Sequence, residues 1–160
     1  MRDTRLVLGL AILGVLLAGV LGHASEVPEV GEPGWISPAL RGSIEQTIKE
    51  FPGSYLAAVG VVRGSEECPV GSEPSICCLR MELIELIGGN RPERASEGEV
   101  VEYFTPGPRT NGRCEAGNWL GERILEVSAP KHNTRLYVPT YRVRGPTDAD
   151  LAAVRDVVAR

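Results

Sequence analysis

Lysine is nearly missing from this chain: only Lys49 and Lys131 carry an ammonium, and the other positive charges are arginines. Acidic residues outnumber basic ones, 21 to 17, so the chain lacks the strongly basic balance that holds a nucleic-acid backbone. Aromatic residues make up only 5%, which leaves little for a core built on large rings. Beyond the first two dozen residues one histidine remains, His132, in a polar turn between Lys131 and Asn133. A lone turn histidine is a solvated residue more often than a general base. Neither a Gly-x-Ser-x-Gly elbow nor a glycine-rich phosphate loop occurs. The common signatures of nucleophilic hydrolases and nucleotide-dependent enzymes are therefore missing, and no cofactor motif is found.

Glycine and proline, by contrast, are plentiful at 19 and 12, which favours short elements and many turns. The N-terminus reads as an export signal. Arg2 and Arg5 precede an apolar run from Leu6 to Leu21, and Gly22 and Ala24 occupy the two positions a signal peptidase reads. Cleavage between Ala24 and Ser25 is expected, giving a secreted or periplasmic protein. The competing reading is an uncleaved anchor. The run contains three glycines and falls short of the usual span of about 20 residues. A lipoprotein is disfavoured, because Val20 stands where the lipidated cysteine would have to be. The expected organisation is a signal peptide over 1–24, a flexible lead-in over 25–36 and one domain over 37–160.

Within that domain Ser37-Pro38 is an N-cap followed by proline at the first helical position. Leu40, Ile44, Ile48 and Phe51 recur at helical spacing, which predicts an amphipathic helix over 38–50 ended by Pro52-Gly53. Strands are expected over 53–64, 76–87, 99–105, 119–128 and 135–144. Gly60 inside the first suggests a bulge or a close backbone approach. In the second the apolar alternation slips at Leu83-Ile84, as it would at a β-bulge. Pro139 places the fifth at an edge or a bulge. Ser65 to Ser75 reads as an acidic turn. Thr147 with Asp150 resembles a capping box opening a last helix, with Leu151, Val154 and Val158 on one face.

The four cysteines, Cys68, Cys77, Cys78 and Cys114, form two disulfides by default in an oxidising compartment. A vicinal Cys77–Cys78 ring is strained and set aside. Cys68–Cys77 with Cys78–Cys114, and Cys68–Cys78 with Cys77–Cys114, both remain open. Strand parity turns Cys77 to the core with Leu79 and Cys78 outward. A zinc site is disfavoured by the adjacent pair, since structural zinc uses spaced pairs. The acids Glu82, Glu85, Glu122 and Glu126 alternate along presumed strands, as exposed sheet faces do.

Mainly β content, five strands, flanking helices and disulfide staples suggest a small OB-like Greek-key barrel. Three stretches carry a family resemblance. Leu56-Ala57-Ala58-Val59-Gly60-Val61-Val62 is similar to an apolar first strand running into Gly-x-Val. Cys77 to Gly88, followed by Gly98-Glu99-Val100-Val101, is similar to a second and third strand. Cys114, Gly117, Trp119 and Gly121-Glu122-Arg123-Ile124-Leu125 follow the cysteine, glycine, aromatic order before a fourth. Over about 54–158 the chain thus resembles the netrin-like module shared with tissue inhibitors of metalloproteinases. The resemblance implies the fold and a binding role. It does not carry over protease inhibition, because that needs an N-terminal Cys-x-Cys, and no cysteine precedes Cys68.

The expected function is a monomeric, non-enzymatic module of the envelope or extracellular space that binds a protein or glycan partner. Arg109, Arg113 and an exposed Trp119, in and beside the long loop 106–118, are the candidate contacts. The alternatives are an envelope hydrolase using carboxylates on a sheet face, or a structural envelope protein anchored by its N-terminus.

Overall fold

Ser37 caps the first helix as its sequence suggests, its hydroxyl accepting from the Leu40 N–H at 3.2 Å. Helix α1 runs from Pro38 to Glu50. In the computed structural model, residues 32–70, 73–92, 100–131 and 135–160 are described. The cleavage residues Ala24 and Ser25, and His132, lie outside them. After α1 come strands β1 (Leu56–Val70), β2 (Glu73–Gly89), β3 (Glu102–Pro106), β4 (Arg109–Thr110), β5 (Arg113–Cys114), β6 (Arg123–Pro130) and β7 (Tyr137–Arg144), then helix α2 (Asp148–Val158). A single 3-10 turn, Gly117–Trp119, precedes β6.

Five strands form one antiparallel sheet in the order β3-β2-β1-β6-β7, and β4 and β5 form a separate small hairpin. The sheet is not a closed barrel. Its edge strands β3 and β7 approach each other, but among the described residues the backbone link is one isolated parallel bridge, Phe104 with Leu136, where the Phe104 N–H donates to the Arg135 carbonyl at 2.9 Å. The mainly β reading with two flanking helices stands, and the closed barrel gives way to a curled, open sheet.

The local irregularities have visible causes. Opposite Val59 and Gly60, β2 pairs through Glu85 and Leu83, so Ile84 is the extra residue of a bulge. A Cβ on Gly60 would come within 2.7 Å of Tyr103 Oη, which is why that position has no side chain. Pro139 lies on edge strand β7 beside a register shift, where its missing N–H removes no ladder bond. Ser65 to Cys68 do not belong to a turn. They continue β1, paired with Leu79 to Ile76 of β2.

Central strand β1 is buried on both faces. Ala57 and Val59 join Leu125, Val127 and Tyr141 under the two helices, meeting Ile44 of α1 and Leu151, Val154 and Val157 of α2. Leu56, Ala58 and Val62 face the inside of the curl, with Leu79, Met81, Tyr103, Ile124 and Tyr137. The helices are tied down by polar contacts as well. Thr47 and Thr140 hydroxyls lie 2.7 Å apart, and Arg155 meets Glu85 at 2.5 Å.

Thr147 and Asp150 form the full capping box of α2. Asp150 does a second job there: its Oδ1 accepts from the Gly34 N–H at 2.7 Å. With Ile36 buried beneath the helices, the end of the lead-in is docked rather than free. Among the described residues no helix is long and apolar enough to cross a membrane.

Candidate functional site

The cysteines pair as Cys68–Cys78 and Cys77–Cys114, with Cα atoms 5.9 and 5.2 Å apart. This decides between the two open connectivities. Cys78 does not face solvent, contrary to the parity reading. It is fully buried against Leu136 with Ile76 and Phe104 beside it, because the approach of β3 to Leu136 covers that side of the strand. Two disulfides of this kind fit an extracellular or periplasmic protein.

Cys77–Cys114 pins the base of a projecting hairpin. The Gly107 N–H donates to the Cys77 carbonyl at 2.9 Å, and Ser65 Oγ donates to the Cys114 carbonyl at 3.0 Å. Above that base, Asn111 and Gly112 take positive φ values of 48° and 74°. That is the two-residue turn Asn-Gly favours between twisted antiparallel strands. Every residue from Arg109 to Arg113 is exposed. Arg109 donates to the Gly112 carbonyl at 2.9 Å and lies 3.4 Å from Glu67, so its guanidinium stiffens the turn from within. Arg113 projects from the other strand and is exposed.

Trp119 is half-buried rather than exposed, packed against the inner core from its 3-10 turn. The Arg144 guanidinium lies over its ring, 4.1 Å from the centroid, with Arg142 at 5.9 Å. Arg144 is held in turn by Glu122 through two hydrogen bonds of 2.6 and 2.7 Å, and it reaches the Asn118 carbonyl at 3.3 Å. The bond from Arg144 holds the Glu122 carboxyl below its usual range. Leu120, next to this stack, is 61% exposed. The mouth of the curled sheet thus presents an ordered tryptophan–arginine stack and an adjacent apolar side chain.

Beneath the mouth lies a cluster that sequence pattern misplaces. Glu126 is fully buried, not on a solvated face. Its Oε2 accepts from Arg142 Nε at 3.1 Å and from the Thr105 hydroxyl at 3.2 Å. Arg142 continues across the open seam, donating to the Pro106 carbonyl at 2.9 Å and to Thr105 Oγ1. A β7 side chain therefore joins the β3 edge where the backbone ladder does not. Burial pushes the Glu126 carboxyl above its usual range, against the opposing pull of Arg142. Tyr103, on the same inner face, is pushed well above the usual phenol range by burial and by Glu126. The two groups influence each other, yet no hydrogen bond of ordinary geometry joins Tyr103 Oη to Glu126 Oε1.

The remaining sheet acids are engaged on the surface. Glu82 meets Arg63 at 2.5 Å and Glu85 meets Arg155 at 2.5 Å. All four acids thus stand in arginine pairs. Among the described residues no group of three or more histidine, cysteine, aspartate or glutamate side chains could hold a metal ion. A shallow depression of about 290 Å³ lies between the helix ends, lined by Glu45, Ile48, Lys49, Val157, Val158 and Arg160; it is far from the mouth in sequence and carries none of these groups.

What could have flagged Glu126 in the sequence is its setting in Ile124-Leu125-Glu126-Val127, a lone acid inside an apolar run. No protein-family model, curated protein or solved structure matches this chain.

Proposed function

We propose that this chain is an exported, non-enzymatic binding module of OB-like, netrin-like architecture. It engages a protein or glycan partner through the mouth built by the β4–β5 hairpin and the Trp119–Arg144 stack. The observation that carries the reading is the clamp under the hairpin. The hairpin buries little of its own, yet a disulfide and two backbone-directed hydrogen bonds fix its base. Fixing an exposed loop before it meets a partner reduces the entropy lost on binding. Tryptophan and arginine beside it are the residues in which binding energy concentrates. The strand order, the bulged β1 shared by both halves of the sheet and the parallel Phe104–Leu136 bridge support the OB-like architecture.

Export is tested by intact mass of the protein recovered outside the cytoplasm: a chain beginning at Ser25 is expected, and one beginning at Met1 would overturn cleavage. The mouth is tested by capturing partners from the native compartment with the wild-type protein and with an Arg109→Glu/Arg113→Glu/Leu120→Ser variant. Loss of a specific partner at unchanged Tm is the expected result. Equal capture by the variant would remove the mouth from the reading.

A further inference from the structure

The mouth has two fixed points, and both hang on the same open edge of β1. That strand pairs with β6 only as far as Val61, opposite Arg123. Just beyond, the Gly121 N–H donates to the Val62 carbonyl at 2.9 Å, and the Val62 N–H donates to the Glu122 carbonyl at 3.0 Å. Three residues further on, Ser65 holds the base of the β4–β5 hairpin through the Cys114 carbonyl. At the rise of a strand the two anchors stand about 10 Å apart.

From Trp119 to Glu122 the chain makes a type II turn. The Glu122 N–H donates to the Trp119 carbonyl at 2.9 Å, Leu120 has φ and ψ of −59° and 126°, and Gly121 has a φ of 79°. The turn favours glycine at its second central position, but nothing in it requires leucine at the first, where the side chain is 61% exposed. A lone exposed leucine is ordinary. This one stands on a corner fixed by the bonds to Val62 and by Trp119 packed against the inner core. An apolar side chain on so rigid a corner costs little ordering entropy when a partner covers it.

The neighbouring groups narrow the kind of partner. Arg109, Arg142 and Arg144 are each engaged by a glutamate, Glu67, Glu126 and Glu122 respectively. Arg113 is exposed on the hairpin and meets no carboxylate among the described residues. The Trp119 ring is covered by the Arg144 guanidinium, 4.1 Å from its centroid, and packs against the core. A sugar ring stacks on an open aromatic face, and Arg144 occupies the face this tryptophan would offer. The surface therefore suits a protein better than a glycan.

Resting on the reading that the mouth is the binding face, we propose that its partner is a protein that docks at both fixed points. An apolar pocket of the partner takes Leu120, and a carboxylate beside that pocket meets Arg113. Strand β1 sets the spacing of the two contacts before binding.

Photo-crosslinking tests this in the full exported chain. A benzophenone side chain is placed by Asn118→p-benzoylphenylalanine, next to the turn, and in a control chain by Trp35→p-benzoylphenylalanine, exposed in the lead-in. Each chain is irradiated with material from the exported compartment, either untreated, digested with proteinase K, or oxidised with periodate. Unlabelled wild type, Leu120→Ala and Arg113→Ala serve as competitors. The expected adduct forms from position 118 and not from position 35, disappears after proteinase K and survives periodate. Leu120→Ala should need about tenfold or more higher concentration than wild type to compete. Arg113→Ala should also compete more weakly, with a smaller dependence on salt. Both side chains are exposed, so the variants should keep the wild-type Tm, and weaker competition then reports a lost contact. If periodate destroys binding, the partner is recognised through its glycan: the proposal falls while the mouth stands. If position 118 gives no adduct beyond that of position 35, the mouth falls and the proposal with it. Competition by Leu120→Ala equal to that of wild type would overturn the proposal alone.

Discussion

The two faces of β1 are sealed by different means. Alternate residues in the first half of β1, Leu56 to Val62, feed both. Toward the helices, Ala57 and Val59 meet an aliphatic layer with Tyr141 at its margin, and two amphipathic helices close over it. Toward the inside of the curl, Leu56, Ala58 and Val62 share their space with Glu126, Ser128, Thr105 and Arg142. The helices cover the first face with whole elements that bring their own apolar stripes. The second face has to be covered by the sheet curling on itself, and the curl stops short of a closed ladder. Polar side chains complete what the backbone leaves open. The lesson is that a non-directional seal suits a helix on a sheet, whereas a seam between two strand edges needs directional bonds.

The sharpest way to break this contrast is Arg142→Ala. It strips Glu126 of its counter-charge inside the curl, and losing one member of such a pair costs about 3–5 kcal/mol. The loss is expected in denaturant unfolding, and hydrogen exchange should rise first along β3 and β7. Replacing both Glu126 and Arg142 by leucine should cost less than the single change, because no charge is then stranded. On the helix side, Ile44→Ala should cost about 2–5 kcal/mol through a cavity alone, with no selective opening of the seam. If both variants opened the same amides in the same order, the two faces would not be distinct.

Smaller effects come from the helix end. Asp150→Ala removes one half of the capping box and the acceptor for the Gly34 N–H, and about 1 kcal/mol is expected. The Thr147 hydroxyl cap should persist, so α2 should shorten rather than melt.

The smallest and most discriminating effect is in pH. Glu126, raised by burial, makes a contribution to stability that is full below its unfolded pKa of about 4.3 and declines as pH climbs through the raised folded value. Asp150 runs the other way. Burial pushes it up, but the N–H groups of Gly34 and Thr147 and the Thr147 hydroxyl outweigh that and hold it low. Its contribution is present above about 3.9 and fades as pH falls through the depressed value. Glu126→Gln should therefore flatten the decline of Tm above about pH 4.3 and leave the acid limb unchanged. A decline that survives the substitution would assign it elsewhere.

Several features are legible in the sequence because they are local. Ser37-Pro38 and Thr147 with Asp150 place the helix starts through bonds spanning three residues. The parity slip at Leu83-Ile84 announces the bulge, since alternation along a strand is a property of the strand itself. Pro139 marks the edge through its missing N–H. The hairpin arm over 65–68 was not legible, because its glutamates and serine have turn-like character. Pairing with Leu79 to Ile76 and the Cys68–Cys78 bond override that preference. Trp119 gives no sign in sequence of whether it stands free or lies under Arg144, since the two are 25 positions apart.

By itself, then, the sequence determined the order of the two helices and the five strands of the main sheet, the caps, the bulge, the edge and the need for two disulfides, but it read the β4–β5 hairpin as loop. Each of these rests on interactions within a few residues or on composition and the compartment it leads one to expect. Only the tertiary structure decided which cysteine meets which, that the sheet stays open, and that Glu126 is buried and bound to Arg142. Alternation tells which residues share a face of a strand, but it cannot tell whether that face looks at water or at another strand. That depends on how far the sheet curls, and the curl is set by contacts between β3 and β7, which the chain brings together only when it folds.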